Sequence, residues 1–309
     1  AKNKNVLPNL QKLIWTGSLI SGVMVGLNAP GFGTHWLGII SLFPLIFTLE
    51  KLHAEDDLSF RKRALLFFGI CWLSGGIAAS IGGYWITNST HVFGHLPWPV
   101  ALIITAVGYG LEVGFQLFVY FGIPLLLIPK LNNWDLPLRL AFVLALDPWY
   151  PRLIHWNYGA LTFSEFPWIE QLADIIGSSG LLLYSAGLTF LLIGWLRWKS
   201  GKLSHKKVLQ ASFLYLLLWI LGLSYGAWRT NNLETKFTEP NGKSSNLTVI
   251  VIQPNFSLQD LASNPELAHS KRQQNLESLL TDSRKALAEL PQNTGTEQLL
   301  VWPESVFPD

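Results

Sequence analysis

The chain closes on LLVWPESVFPD, residues 299–309, and the residue there that could do chemistry is Glu304. A short apolar run stopped by proline reads as a buried strand ending at the edge of a sheet. This carboxylate would then stand at the strand's C-terminal edge, where sheets present their chemistry. The alternative is a solvent-facing acid that caps the next turn. Cys71, the single cysteine, lies inside an apolar stretch within GICWLSGG and reads as a buried structural thiol. Glu112, in GYGLEVGFQLF, is an ionisable residue within another apolar stretch. It either faces a polar bundle interior or head group, a functional position by default, or reaches an interface because its stretch is longer than a bilayer needs. His91 and His95 could ligate a metal only on a helix and with further ligands, and none is apparent. Neither a metal nor a cofactor is expected.

The elements that must position these residues follow from composition. Of 309 residues half are hydrophobic, only 14% are charged and 14 are Trp, which is too apolar for a soluble domain and points to a polytopic membrane protein. Apolar stretches fall at roughly 11–27, 35–49, 64–86, 98–128, 136–150, 175–196 and 208–228. The longer ones reach the ~20 residues of a spanning helix. Charge decides how to count the short ones. Lys2, Lys4 and Lys12 precede the first; Lys51, Arg61, Lys62 and Arg63 follow the second; Lys130 and Arg139 follow or flank the fourth; Arg197, Lys199, Lys202, Lys206 and Lys207 follow the sixth. The alternate loops, near 28–35, 87–97 and 151–174, carry only Arg152. That alternation obeys the positive-inside rule if all seven stretches cross. The N-terminus is then cytoplasmic and everything after Trp228 lies outside. Trp85, Trp98, Trp149, Tyr150 and Trp168, near stretch ends, suit an interfacial belt.

Three parts result: a membrane bundle over 1–228, a polar connector over 229–246 and an outer segment over 247–309. The outer segment opens with LTVIVIQPN (247–255), which reads as a fully buried parallel strand. Ser263-Asn264-Pro265-Glu266 is a capping box that opens a helix with Leu276, Leu279, Leu280, Leu287 and Leu290 in one apolar stripe. A second strand, 299–302, runs up to Glu304. Strand, helix and strand predict a right-handed βαβ unit, the start of an α/β domain.

These residues carry a resemblance. LTVIVIQPN, an amphipathic helix and then LLVWPES look like the opening of the nitrilase (carbon–nitrogen hydrolase) domain, whose catalytic glutamate lies in a W-P-E motif after its second strand. A membrane bundle in front is similar to the apolipoprotein N-acyltransferase family. NAPGFGTHWLGIISLFPLI (28–46), GYWITNSTHVFGHLP (83–97) and QLADIIGSSGL (171–181) resemble that family's membrane stretches at corresponding places.

The resemblance implies a fold, a polytopic helical bundle of about seven spans followed by the opening βαβ part of a nitrilase-like sandwich. It also implies a reaction with a Glu-Lys-Cys triad. Glu304 would be the general base on a cysteine thiol, a lysine would help to hold the oxyanion, and the cysteine would carry the acyl group as a thioester. The acyl donor would be a membrane phospholipid. The acceptor would be the α-amino group of the diacylglyceryl-cysteine that begins an apolipoprotein, so the partners are lipids and lipoproteins and no nucleic acid. The implied location is the bacterial inner membrane, with the outer segment periplasmic. The chain departs from the family pattern in three ways. Cys71 is on the wrong domain to be the nucleophile, no residue can be assigned the triad's lysine, and FSLQDLASNPE stands where the family commonly has a Lys-Trp pair. Residues 1–309 alone are therefore expected to be inactive. A non-catalytic or truncated membrane paralogue acting as scaffold, and a nitrilase-type amidase, are the other readings.

Overall fold

The computed structural model describes residues 6–55, 57–128, 135–152, 157–238, 247–253, 265–289 and 297–302. The chain divides into two compact units, Ala1–Asn88 with Pro97–Glu234, and Ser89–Leu96 with Thr235–Asp309.

The first unit is helical. Its elements are α1 (Val6–Leu27), α2 (Phe43–His53), α3 (Phe60–Gly82), α4 (Tyr84–Phe93), α5 (Trp98–Leu127), α6 (Asp135–Leu146), α7 (Tyr158–Phe163), α8 (Pro167–Glu170), α9 (Ala173–Gly180), α10 (Leu182–Lys199) and α11 (His205–Thr238), with α4 and α11 running on into the second unit. Among the described residues four helical segments are long and apolar enough to cross a membrane: His35–His53, α3, α5 and His205–Leu233. The count is five if α9 and α10, bent by 58° at their junction, form one crossing. The seven spans expected are therefore not seven single helices. α6 has 12 residues, about 18 Å of rise, and stops at a 3-10 turn, Asp147–Trp149, that contains Pro148. The sixth stretch is broken in α9, where Gly177 adopts a left-handed φ of 67°. The second stretch, short in sequence, begins with a turn of 3-10 helix from His35 to Ile39 and runs on to His53.

In lipid, helices do not attract one another by the hydrophobic effect and must fit closely instead. α3 does so on both sides. Gly22 and Gly26 of α1 lie against Ser74, Ile77, Ala78 and Ile81; a side-chain carbon added at Gly22 would sit 2.7 Å from the Ser74 carbonyl oxygen. Across α3, a carbon added at Gly75 would fall 2.3 Å from the Gly114 nitrogen, and one at Gly114 2.5 Å from the Trp72 Cα. Both partner helices carry the small-residue spacing of four, Gly22/Gly26 and Gly110/Gly114, so their backbones touch that of α3. Leu45, Leu49, Phe67, Leu117, Tyr120 and Phe190 fill the core around that contact. Trp85, Trp98, Trp149 and Trp168 are exposed on the outside.

α11 does not stop at Trp228. It continues to Thr238, so the first part of the expected connector is helical and 239–246 lies outside the described residues.

The second unit contains β1 (Leu247–Val251), α12 (Pro265–Ala288) and β2 (Glu297–Val301). The strands pair in parallel with Val249 opposite Leu299, and Ile252 N–H continues the ladder to the Val301 carbonyl. α12 turns Leu279 and Ser283 fully inward, with Leu276 and Leu280 half-buried beside them, while Leu287 is exposed. Ser263, Asn264 and Leu290 lie outside the described residues. The expectation of a fully buried first strand is corrected. Burial alternates along β1, leaving Leu247, Val249 and Val251 exposed while Thr248 and Ile250 are half-buried, because the described residues cover only one face of the pair.

The glycine contacts give a prediction of sign. Gly69, also on α3, has nothing within 4 Å of an added carbon, so Gly69→Ala should raise thermal stability in detergent, by up to about 1 kcal/mol, from helix propensity alone. Gly114→Ala should lower it by about 1–3 kcal/mol through overpacking. Stabilisation by both would mean that α3 and α5 are not in backbone contact.

Candidate functional site

Glu304, the expected base, lies outside the described residues. The structure does show how the chain leading to it is held. The indole Nε1–H of Trp302 donates to the Ser283 hydroxyl oxygen at 3.0 Å, and that hydroxyl donates to the Leu279 carbonyl at 2.7 Å. Ser283 is nearly fully buried, so this two-bond relay ties the residue after β2 to the middle of α12. Because the two strands are parallel, their C-terminal ends lie on one edge of the sheet.

Glu112 sits near the middle of the 30-residue α5, which favours an interior position over an interfacial one. Two π-helical turns, Thr105–Tyr109 and Phe118–Gly122, bracket the α-helical segment that carries it. Such turns recur at functional sites because they re-aim side chains on one helix. Glu112 is half-buried and lines a cavity of about 820 Å³, with Tyr109, Tyr150, Phe68 and Phe115 among its walls. Ile104, Leu111 and Phe115 on the same wall are exposed on the outside of the bundle. The cavity is thus apolar, borders the lipid-facing surface and holds one carboxylate. Its volume is in the range of small-ligand pockets.

One face of α5 continues from Glu112 through Gln116 to Tyr120 at intervals of four residues. Gln116 Nε2 donates to the Tyr120 hydroxyl at 3.1 Å, and that hydroxyl donates to Asp147 Oδ1 at 2.6 Å. Arg152 forms an ion pair with the same oxygen and donates to the Tyr120 hydroxyl at 2.9 Å. Asp147 is 1% exposed. Arg152, read above as the one charge of the neutral outer loops, is folded inward onto its own loop. The network fixes residues 147–152 and with them Tyr150, a wall of the cavity that also meets Tyr120 ring to ring at 5.4 Å. Sequence reading singled out none of Gln116, Tyr120 and Asp147. The signal was there in the four-residue spacing of three polar side chains along an apolar span.

A second buried cluster joins three helices. Arg197 of α10 reaches Glu50 of α2 at 2.9 Å and Asp135 of α6 at 2.7 Å, and Arg139 of α6 pairs with both carboxylates. Arg139 is 2% exposed, so it is a paired interior group as well as a flanking positive charge. Cys71 is fully buried in α3. His91 lies on α4 with its Nδ1 2.6 Å from the Leu96 carbonyl, and His95 follows the helix with a positive φ. Among the described residues no three metal-ligating side chains cluster.

Comparison with known proteins adds the following. Residues 21–187 match the profile of the apolipoprotein N-acyltransferase N-terminal domain. An apolipoprotein N-acyltransferase of Bdellovibrio bacteriovorus is 28% identical over 309 residues, covering 94% of this chain and 49% of that protein. One of Geobacter metallireducens is 28% identical over 308 residues, covering 94% of this chain and 51% of that protein. The chain therefore spans about half the length of the curated relatives it matches. No solved structure matches it significantly.

The Asp147–Arg152 pair is testable by a double-mutant cycle. Asp147→Leu or Arg152→Leu alone leaves an uncompensated buried charge and should cost about 3–5 kcal/mol, while the double variant should cost less than either single one. Additive losses in detergent unfolding would show that the two do not act as a pair.

Proposed function

The chain belongs to the apolipoprotein N-acyltransferase family, and on that premise we propose that it supplies the membrane bundle and the general base of phospholipid-dependent lipoprotein N-acylation. The observation that carries this reading is that the similarity runs across both units: the family profile lies in the bundle, and the relatives align over 94% of the chain.

In the proposed reaction Glu304 takes the proton of a cysteine thiol. The thiolate attacks the ester carbonyl of a phospholipid, the glycerol oxygen leaves as a hydroxyl with the proton that Glu304 returns to it, and the acyl group remains as a thioester. The α-amine of a diacylglyceryl-cysteine then attacks that thioester and regenerates the thiol. A thiol of pKa near 8.5 is mostly protonated at neutral pH, so it needs a base in reach. Cys71 does not serve as nucleophile, being fully buried inside α3. The apolar cavity beside Glu112 borders the lipid-facing surface and suits the passage or seating of an acyl chain. Trp302, tied to Ser283, gives the segment entering Glu304 a fixed starting point.

The bundle is proposed to lie in the inner membrane with its N-terminus cytoplasmic and the second unit periplasmic, on the alternation of basic and neutral loops. Ser204 and Ser270 are both exposed. In intact cells Ser270→Cys should react with an impermeant thiol reagent and Ser204→Cys should not; the reverse labelling would overturn the orientation.

The chemistry is tested by fusing the C-terminal half of a curated relative to this chain and following thioester formation from labelled phospholipid. Glu304→Gln keeps the size of the side chain and removes the base, so the rate should fall by about 10²–10⁴-fold. The unfused chain should acquire no hydroxylamine-sensitive acyl group. Equal rates from the Glu and Gln fusions would make Glu304 a structural residue.

A further inference from the structure

Two cavities adjoin at the end of the bundle that carries the basic loops. The first is an apolar groove of about 410 Å³ between α6, α10 and α11, lined by residues such as Leu140, Gly187, Phe190, Leu214 and Leu218. Gly187 and Gly194 of α10 keep its floor low, and Lys207, in the first turn of α11, stands among its walls. Along α11 the groove runs from Lys207 to Leu218, about 16 Å of helical rise. The second is a polar basin of about 430 Å³ whose walls include Glu50, Lys51, Asp135, Arg197 and Lys202. Leu203 lines both, so the apolar slot and the polar basin adjoin at that residue.

The basin has an excess of positive charge. Its two carboxylates, Glu50 and Asp135, are engaged by Arg139 and Arg197. Lys51, Lys202 and Lys207 are exposed, and among the described residues none of them forms an ion pair with a carboxylate. The placing of Lys202 is built into the fold. Gly201 has a φ of +71°, its N–H bonds to the Trp198 carbonyl and the Lys202 N–H to the Arg197 carbonyl, both at 2.8 Å. This is a Schellman turn, which closes α10 and folds the chain back over its last turn. Lys51 lies over the Phe47 ring at 5.3 Å. An uncovered apolar slot beside lysines that have no carboxylate partner matches one kind of molecule: an amphiphile with a hydrocarbon tail and an anionic head.

We propose that this end of the bundle binds one anionic phospholipid, with an acyl chain in the groove between α6, α10 and α11 and its phosphate on Lys51, Lys202 and Lys207. Lysine suits a phosphate head as a compact point charge, and basic pockets between helices at a membrane surface bind anionic head groups. The lipid comes from the leaflet that faces the basic loops. It is therefore distinct from the acyl donor of the proposed reaction, and its binding does not require catalysis. A lipid seated there would join α6, which is too short to span alone, to α10 and α11.

The test uses the purified 309-residue chain in mild detergent, given equal amounts of phosphatidylglycerol and phosphatidylcholine of the same chain length, with retained lipid read by native mass spectrometry. Phosphatidylglycerol should be retained preferentially, and Lys202→Gln with Lys207→Gln should reduce that preference by about fivefold per lysine. Lys271→Gln, on α12, should leave it unchanged. Gly194→Phe, which fills the groove, should lower retention of both lipids together. Equal retention of the two lipids by the unmodified chain would overturn the proposal. So would a preference that survives the double lysine change, which would reflect the general charge of the loops. Displacement of phosphatidylglycerol by glycerol phosphate as effectively as by the lipid itself would show a head-group site without a chain, and would equally refute it. The preference should also weaken with added salt, a readout on the unmodified protein that is independent of how well the variants fold.

Discussion

Lipid tails are as apolar as leucine, so helices in a membrane gain nothing by shedding hydrocarbon and hold together by fit. In this chain the fit is made by glycine. α3 lies between α1 and α5 at distances that admit no side-chain carbon at Gly22, Gly75 or Gly114, and the rest of the first unit is placed by that contact. α5 carries Glu112, Gln116 and Tyr120 along one face. Because its backbone is seated on α3, those polar groups are held over the 147–152 loop, and the cavity beside Glu112 opens between α3, α4 and α5. Two π turns interrupt this 30-residue helix, one on either side of Glu112.

Charge does a different job inside the bundle. Glu50, Asp135, Arg139 and Arg197 form a closed set of two acids and two bases joining α2, α6 and α10, and Asp147 with Arg152 forms a second, smaller set. Buried ion pairs add little net stability over apolar residues of the same shape, but losing one partner is costly. Their effect is to make wrong arrangements expensive. An apolar α6 could slide along its neighbours by a turn at small cost; one bearing Asp135 and Arg139 has a single register in which both groups are paired.

Much of the architecture was legible in the sequence because it depends on local pattern. The apolar stretches become helices, the short second stretch becomes a crossing-length segment with its 3-10 turn, and strand, helix and strand follow in the expected order with the strands parallel. What was not legible is what depends on partners distant in sequence. Arg139 and Arg197 meet Glu50 across 89 and 147 residues, and a charge count along loops cannot tell a paired arginine from a solvated one. The first strand reads as buried on both faces because six apolar or β-branched residues follow one another, yet among the described residues only one face of the strand pair is partly covered and every second side chain is bare. For Glu304, the expected base, the sequence is the only source, and what the structure adds is the anchoring of Trp302, two residues before it, to Ser283. The polar face of α5 was readable in principle from its four-residue spacing, and went unread because the eye follows apolar residues in an apolar span.

The shortness of α6 has a consequence for how the protein is made. A segment of 12 residues with an arginine at its fifth position does not partition into a bilayer alone, since a central arginine opposes insertion by about 2.5–3.5 kcal/mol. It can enter only when its charge has somewhere to go. α2, which carries Glu50, is synthesised before it, and α10, which carries Arg197, after it. Glu50 of α2 precedes α6 and can meet Arg139 as that helix follows, while Asp135 gains a second partner only when Arg197 of α10 arrives, so the pairing couples the membrane entry of α6 to helices made before and after it.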